Sequence, residues 1–330
     1  MSAAAQSQWI RSLRTSKRTV DPWEPLGHLW EEERERDGRL LPALTLFLAG
    51  AECPFTCVFC DLWRETLDTT TPPGSLPMQI RKALIAAGPS PGHECRGYEQ
   101  RPLKGTSSLP TIKLYNASNF FDPRAVPPVD EAEILDLVAP FSRVTVECHP
   151  RLVGDRCLRF AERLAGSLEV AMGLETIHPE SLSRLNKEMT LALFDRAAAT
   201  LRGAGIGLRV FVLLAPPFTP LDEAVDWAVR SAEHAFARGA TRVSVIPVRG
   251  GNGAMEALRD AGDFTPPCLD QLEETLERCL SLDGIVTADL WDTRRFAICP
   301  GCADGRIARL EHMNRTGRIE PKVACVCNPG

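Results

Sequence analysis

Three cysteines within eight residues constrain this chain more than any other feature: Cys53-Pro-Phe-Thr-Cys57-Val-Phe-Cys60, directly after the apolar run Leu44 to Ala49. With 12 cysteines in 330 residues, a triplet at these offsets is expected by chance in only about one or two such chains per hundred. Three thiolates on one short loop suit a cubane iron-sulfur cluster whose fourth iron has no protein ligand and is open to a small molecule. Structural zinc is the alternative, but it commonly takes four ligands as two pairs, and this triplet would need a distant fourth.

The remaining pattern is α/β. Leu44–Ala49 is a short continuous apolar run, as in a buried parallel strand. From Thr111 on, strands are expected at Ile112–Ala117, Val144–Cys148, Leu168–Leu174, Leu208–Leu214, Val243–Val248 and Ile285–Leu290. Helices are expected at Pro77–Ala87, Asp130–Ala139, Asp155–Leu164, Leu191–Gly203, Leu221–Ala237 and Leu269–Leu282. Alternation with right-handed crossovers predicts a partial (βα)6 TIM-like barrel, with a doubly wound open sheet as the other architecture. Residues 1–41 are expected as a helical or extended segment, 42–291 as the barrel and 292–330 as a small Cys-rich C-terminal extension. Glu31-Glu-Glu-Arg-Glu-Arg-Asp37 is expected as an exposed helix, and Gly88–Leu109 as a surface loop in which Cys95 is incidental.

Polar residues gather at the expected C-terminal strand ends, where both architectures place chemistry. They are Tyr115-Asn-Ala-Ser-Asn-Phe-Phe-Asp122, Glu147-Cys-His-Pro150 and Gly173-Leu-Glu-Thr176. A carboxylate at a buried strand end needs a partner, so Glu147 and Glu175 meet either a structural cation or a bound cofactor. His149 is a substrate contact or, more in keeping with its setting, a hydrogen-bonded structural residue. Arg249-Gly-Gly-Asn-Gly253 is a turn whose backbone N–H groups could face a ligand. Near the C-terminus Cys299-Pro-Gly-Cys302 and Cys325-Val-Cys327 form two pairs suited to tetrahedral zinc or an auxiliary iron-sulfur cluster. Cys148, Cys157, Cys268 and Cys279 fall in or beside regular elements and read as small core residues.

Composition narrows the class further. A chain with 44% hydrophobic content can bury one large core, and its cysteines are too sparse for a disulfide scaffold, which points to metal in a reducing compartment. No apolar run approaches the roughly 18 residues needed to cross a membrane, and Met-Ser-Ala-Ala-Ala-Gln-Ser-Gln-Trp is no signal peptide, so a cytoplasmic protein is expected. Net charge is -5, yet Arg11, Arg14, Lys17 and Arg18 cluster near the start, and seven Lys or Arg face four Asp or Glu over residues 292 to 330. Such patches are either solvated faces or phosphate contacts.

The motif C-x3-C-x-aromatic-C after a first strand resembles the signature of radical S-adenosylmethionine (radical SAM) enzymes. In that family the three cysteines hold a [4Fe-4S] cluster, SAM chelates the free iron through its amine and carboxylate, and one electron cleaves SAM to a 5'-deoxyadenosyl radical that abstracts hydrogen from substrate. The resemblance implies that Phe59 lies near adenine. Gly173-Leu-Glu-Thr176 with Leu185-Asn-Lys187 is similar to the branch that includes coproporphyrinogen dehydrogenase, methylthiotransferases and the elongator acetyltransferase. There Glu175 would touch the SAM ribose, Lys187 the SAM carboxylate in place of the usual Arg, and Glu147 would be a SAM-contacting acid. Asn116 to Asn119 replace the family's glycine-rich amine-binding motif, which makes Asn119 a further cofactor candidate. Leu213-Leu-Ala-Pro-Pro-Phe218 resembles the adenine-flanking segment, and is equally an ordinary strand stop. Across the barrel the chain resembles uncharacterised radical SAM proteins similar to the radical SAM subunit of archaeosine synthase, whose substrate is a modified base in transfer RNA. The resemblance implies an electron donor such as flavodoxin or ferredoxin and a substrate that is a modified nucleoside in RNA or a small molecule. A non-catalytic zinc or redox iron-sulfur protein is the competing class.

Overall fold

The computed structural model describes residues 2–89 and 110–325. Eight strands form one sheet in chain order. β1 (Gly27–Arg34) pairs antiparallel with β2 (Leu40–Phe47), and β3 (Thr111–Tyr115), β4 (Arg143–Glu147), β5 (Ser167–Glu175), β6 (Gly207–Leu214), β7 (Arg242–Pro247) and β8 (Ile285–Ala288) follow in parallel. Ten α-helices accompany them: α1 (Ala3–Ser12), α2 (Ser75–Ala87), α3 (Glu131–Val138), α4 (Asp155–Arg163), α5 (Pro179–Arg184), α6 (Leu191–Gly203), α7 (Ala224–Ala237), α8 (Ala254–Asp260), α9 (Leu269–Cys279) and α10 (Pro300–Thr316). Cys95 and most of the expected loop at Gly88–Leu109 lie outside the described residues.

Strand residues alternate between two environments, as the period of two requires. Leu44, Leu46, Ile112, Leu114, Val144, Val146, Val170, Met172, Val210, Val212, Val243 and Val245 are buried in the main core with apolar residues of α2–α4, α6, α7 and α9. The intervening Thr45, Lys113, Thr145, Glu169, Arg209 and Arg242 are polar and equally buried. They point into the curl of the sheet. Glu33 on β1 takes a bidentate pair of bonds at 2.8 Å from Arg209 on β6, and strands that far apart in the sheet meet only if it bends back on itself. The architecture is therefore the expected partial TIM-like barrel, with β1 as an added antiparallel strand.

The run Glu31–Asp37 is not the helix its charge suggested. Most of it is strand, and alternation sends Glu31 and Glu33 inward, followed by Glu35 just beyond the strand end. Glu31 accepts from Lys113 (2.8 Å) and Thr45 (2.7 Å), while Glu35 accepts from Arg143 (2.7 Å) and Arg242 (2.6 Å). Glu169 on β5 accepts from Arg209 and Thr145, both at 2.9 Å. Burial would raise the carboxyls of Glu33 and Glu169, but the surrounding cations, Arg209 foremost, hold both below the ordinary carboxylate range.

The free edge at β8 is covered by α10. Asn314 accepts from the Ala288 N–H and donates to its carbonyl, both at 2.8 Å, which imitates a neighbouring strand. Arg34 at the end of β1 donates to Val286 O and Asn314 O at 3.3 Å, so the far edge of the sheet closes on this same helix. A long helix thus underlies the expected Cys-rich extension.

Glu33→Ala leaves Arg209 and Lys113 buried with fewer counter-charges, and it is expected to lower the unfolding free energy by about 3–5 kcal/mol in urea titrations at neutral pH. Because the Glu33 pKa is depressed on folding, its contribution is complete above about pH 4 and fades as pH falls through the lower folded value, so the gap between variant and wild type should narrow in acid. A gap below 1 kcal/mol at pH 7 would contradict this role.

Candidate functional site

The cysteine loop leaves β2 at the C-terminal end of the sheet and is anchored by segments far along the chain. Asn252 donates through Nδ2 to the carbonyls of Val58 (2.8 Å) and Cys60 (3.1 Å), and its Oδ1 accepts from Met255 N–H (2.9 Å) at the start of α8. Asn186, in the left-handed region at φ 53° where Asn is tolerated, donates to Thr56 O (2.8 Å) and Thr56 Oγ1 (2.7 Å). Val58 N–H donates to Leu185 O at 3.0 Å. Val58 itself is fully buried in a second core with Ile10, Leu185, Leu213 and Met255, and Phe59 packs against that core. Both asparagines lie in stretches singled out in the sequence, but nothing there shows that they clamp the cysteine loop.

The turn Arg249–Gly253 serves this anchoring, and two of its amides are taken internally. The N–H groups of Gly251 and Gly253 both donate to the Glu256 carboxylate. Gly253 has φ 88°, and a Cβ there would strike the Leu13 carbonyl.

The three cysteines are partly buried, with Lys187 near Cys53 and Cys57 and Arg124 also near Cys53. Burial raises all three, Cys60 to about 12, while the charge of Lys187 acts against that rise at Cys53 and Cys57. Asn119 Nδ2 donates to Cys53 Sγ at 3.1 Å, and Asn119 Oδ1 accepts from His149 N–H at 2.7 Å. A metal would supply the charge that keeps such thiols deprotonated. Among the described residues, the three sulfurs are not drawn together within 4.8 Å, as the sulfurs of Cys299, Cys302 and Cys325 are. Ligands of one ion must converge, whereas the cysteines of a cubane bind three different irons and stand wider apart. The loop is therefore not a converged single-ion site.

Lys187 and Glu175, both buried, form an ion pair with each other. Burial would lower the Lys187 pKa, but Glu175 more than offsets it and the pKa is raised. Glu175 sits at φ 65° beside a break in the β5–β6 register, a backbone position uncommon for a residue with a Cβ. Two residues earlier Gly173 makes the room: a Cβ there would overlap both Glu175 Oε1 and Lys187 Nζ. Glu147, at the end of β4, has no hydrogen bond to its carboxylate among the described residues, and burial lifts its pKa to about 7 against the pull of Lys187. Asn116 is buried with both side-chain polar atoms unpartnered, as is the Ser118 hydroxyl. Orphaned polar atoms and an unpaired carboxylate beside the thiols are what a polar, charged cofactor would satisfy.

His149 takes the structural role. Its Nδ1 accepts from Arg151 N–H (3.1 Å), which leaves the proton on Nε2 to donate to Lys187 O (2.9 Å), and Phe55 stacks on the ring at 3.8 Å. Burial, with the adjacent Lys187 charge, pushes its pKa down to about 3, so it stays neutral. The N-terminal basic cluster is also largely committed internally: Arg14 and Lys17 pair with Glu52, and Arg18 with Glu65. Cys299, Cys302 and Cys325 form their own set, and Cys327 lies outside the described residues. Cys148, Cys157 and Cys279 are buried core residues, and Cys268 precedes α9. Among the described residues no helix is long and apolar enough to cross a membrane.

No family model matches the chain. An uncharacterised protein of Methanocaldococcus jannaschii is 23% identical over 279 residues, 81% of this chain and 73% of that protein. Archaeosine synthase subunit beta of Methanosarcina acetivorans is 29% identical over 177 residues, 51% of this chain and 50% of its own, so the match spans about half the length of that relative. Methylornithine synthase superposes over 72% of this chain and 63% of its own with 12% identity and a TM-score of 0.47. The structure thus places the three-cysteine loop directly after the first parallel strand of a curled sheet, in a chain whose sequence is similar to archaeosine synthase subunit beta.

Gly173→Ala should displace the Glu175–Lys187 pair and lower the unfolding free energy by about 1–3 kcal/mol in denaturant titrations. An unchanged unfolding curve would mean that the pair can shift aside without cost.

Proposed function

We propose that this protein is a radical SAM enzyme that uses Cys53, Cys57 and Cys60 to hold a [4Fe-4S] cluster and binds SAM beside it. What supports this reading is the three-thiol loop at the C-terminal strand ends, the same end of the sheet that carries, among the described residues, an unpaired carboxylate and orphaned amide atoms. Once bound, the cluster and SAM supply one-electron chemistry, reductive cleavage of SAM to the radical that takes hydrogen from substrate. The chain's own residues do the positioning. Asn119 hydrogen-bonds Cys53 and ties it to β4 through His149. Glu147, with a pKa near neutrality and no hydrogen bond to its carboxylate among the described residues, offers that carboxylate to the SAM amine. Glu175 and Lys187, paired with each other, turn to the SAM ribose and carboxylate at the cost of their mutual bond. Phe59 lines the adenine side from the second core.

The substrate we favour is a modified nucleoside in RNA, on the similarity to archaeosine synthase subunit beta, with a small molecule as the other choice. With Arg14 and Lys17 engaged by Glu52, phosphate contacts would fall to exposed pairs that exchange readily, such as Arg18–Glu65, Arg295–Asp292 and Arg315–Glu32. A flavodoxin or ferredoxin is the matching class of reductant, and a cytoplasmic setting suits it.

Anaerobic reconstitution should give about four irons bound through the loop, and incubation with dithionite and SAM should release 5'-deoxyadenosine. Cys57→Ala should abolish both. In Glu175→Ala, iron should be retained while SAM affinity falls at least tenfold by equilibrium dialysis. A loaded, reduced protein that releases no 5'-deoxyadenosine would instead be a redox iron-sulfur protein.

A further inference from the structure

The second cysteine set has a geometry of its own. Cys299 occupies the residue before α10, and Cys302 lies in its first turn with Sγ 3.7 Å from the Cys299 carbonyl. After α10 ends at Gly317, which has φ 68°, the chain doubles back. Arg309, in the middle of the helix, donates through Nε to the carbonyls of Glu320 (3.0 Å) and Pro321 (2.9 Å) and pins the returning strand to it. This return brings Cys325 to the start of the helix, where all three sulfurs lie within 4.8 Å of one another.

Sulfurs at about 2.3 Å from a tetrahedral zinc ion stand roughly 3.8 Å apart, so this set is already near the spacing of single-ion ligands. The spacing separates it from the cysteine loop and disfavours an auxiliary cluster. The thiolates also sit at the N-terminal end of a 17-residue helix, where the backbone dipole favours negative charge.

We propose that Cys299, Cys302 and Cys325 together bind one zinc ion. The ion is structural. It fastens the C-terminal tail to the start of α10, the helix whose Asn314 covers the β8 edge and whose backbone receives Arg34 from β1. Zinc here thus secures the seam of the barrel, and this holds whether or not the loop carries a cluster.

Full-length protein from cells grown with both iron and zinc should contain one zinc per chain by mass spectrometry. A Cys53→Ala, Cys57→Ala, Cys60→Ala triple variant should keep that zinc and lose the loop iron. Cys325→Ser, altered in the tail outside the barrel core, should lose the zinc and keep the loop iron. Cobalt exchanged into the triple variant should show the thiolate charge-transfer and visible bands of a tetrahedral sulfur site. Zinc-free wild-type protein, or loss of iron and sulfide in place of zinc from Cys325→Ser, would overturn the proposal.

Discussion

Charge buried inside an incomplete barrel is the constraint on which the rest of this structure depends. Lys113, Glu169, Arg209 and Arg242 project from parallel strands into a space with little water, and a buried charge that loses its partner is strongly destabilising. The strands alone cannot balance them. β1 supplies Glu31 and Glu33, with Glu35 immediately after, and the cations gather around these carboxylates. The same contacts bend the sheet, since Glu33 can reach Arg209 only across the curl. Polar residues inside and apolar residues outside follow from one alternation, and the helices cover the apolar face.

This charged layer fills one end of the curl and leaves the C-terminal strand ends to chemistry. At that end the polar groups are incompletely matched: among the described residues Glu147 has no hydrogen-bond partner for its carboxylate and Asn116 has two orphaned atoms, and the Glu175–Lys187 pair rests on a residue with positive φ. Each is a cost that a bound polar cofactor would relieve. The cysteine loop is held between these groups and α8 by side chains that bond its backbone. Its thiols are thus placed by Asn186 and Asn252, although neither residue offers a metal ligand.

How much of this was legible depended on whether the decisive contact is local. Outward strand residues such as Val144, Val146, Val210 and Val212 make apolar runs, and the parallel strands were readable from them. β1 was not, because its inward positions are glutamates and a run of charge looks like a solvated helix until Lys113 and Arg209 are known to face it. α10 was hidden by a start rich in Cys, Pro and Gly and by buried Arg306 and Arg309 where apolar residues are usual. The carboxylates were recognisable by their place at strand ends, and Lys187 through the family resemblance alone. Asn186 and Asn252 were not, since a side-chain bond to a backbone more than a hundred residues away leaves no periodic trace. In the Gly-Gly-Asn-Gly turn the amides of Gly251 and Gly253 go to Glu256, a pairing equally without periodic trace.

The central claim is that SAM binds directly to an iron held by Cys53, Cys57 and Cys60. Electron paramagnetic resonance of the dithionite-reduced, iron-loaded protein before and after addition of SAM tests it most directly. The account predicts a spectrum with shifted g-values on SAM addition, absent in Cys57→Ala. An intact reduced cluster whose spectrum is unchanged by saturating SAM would contradict it.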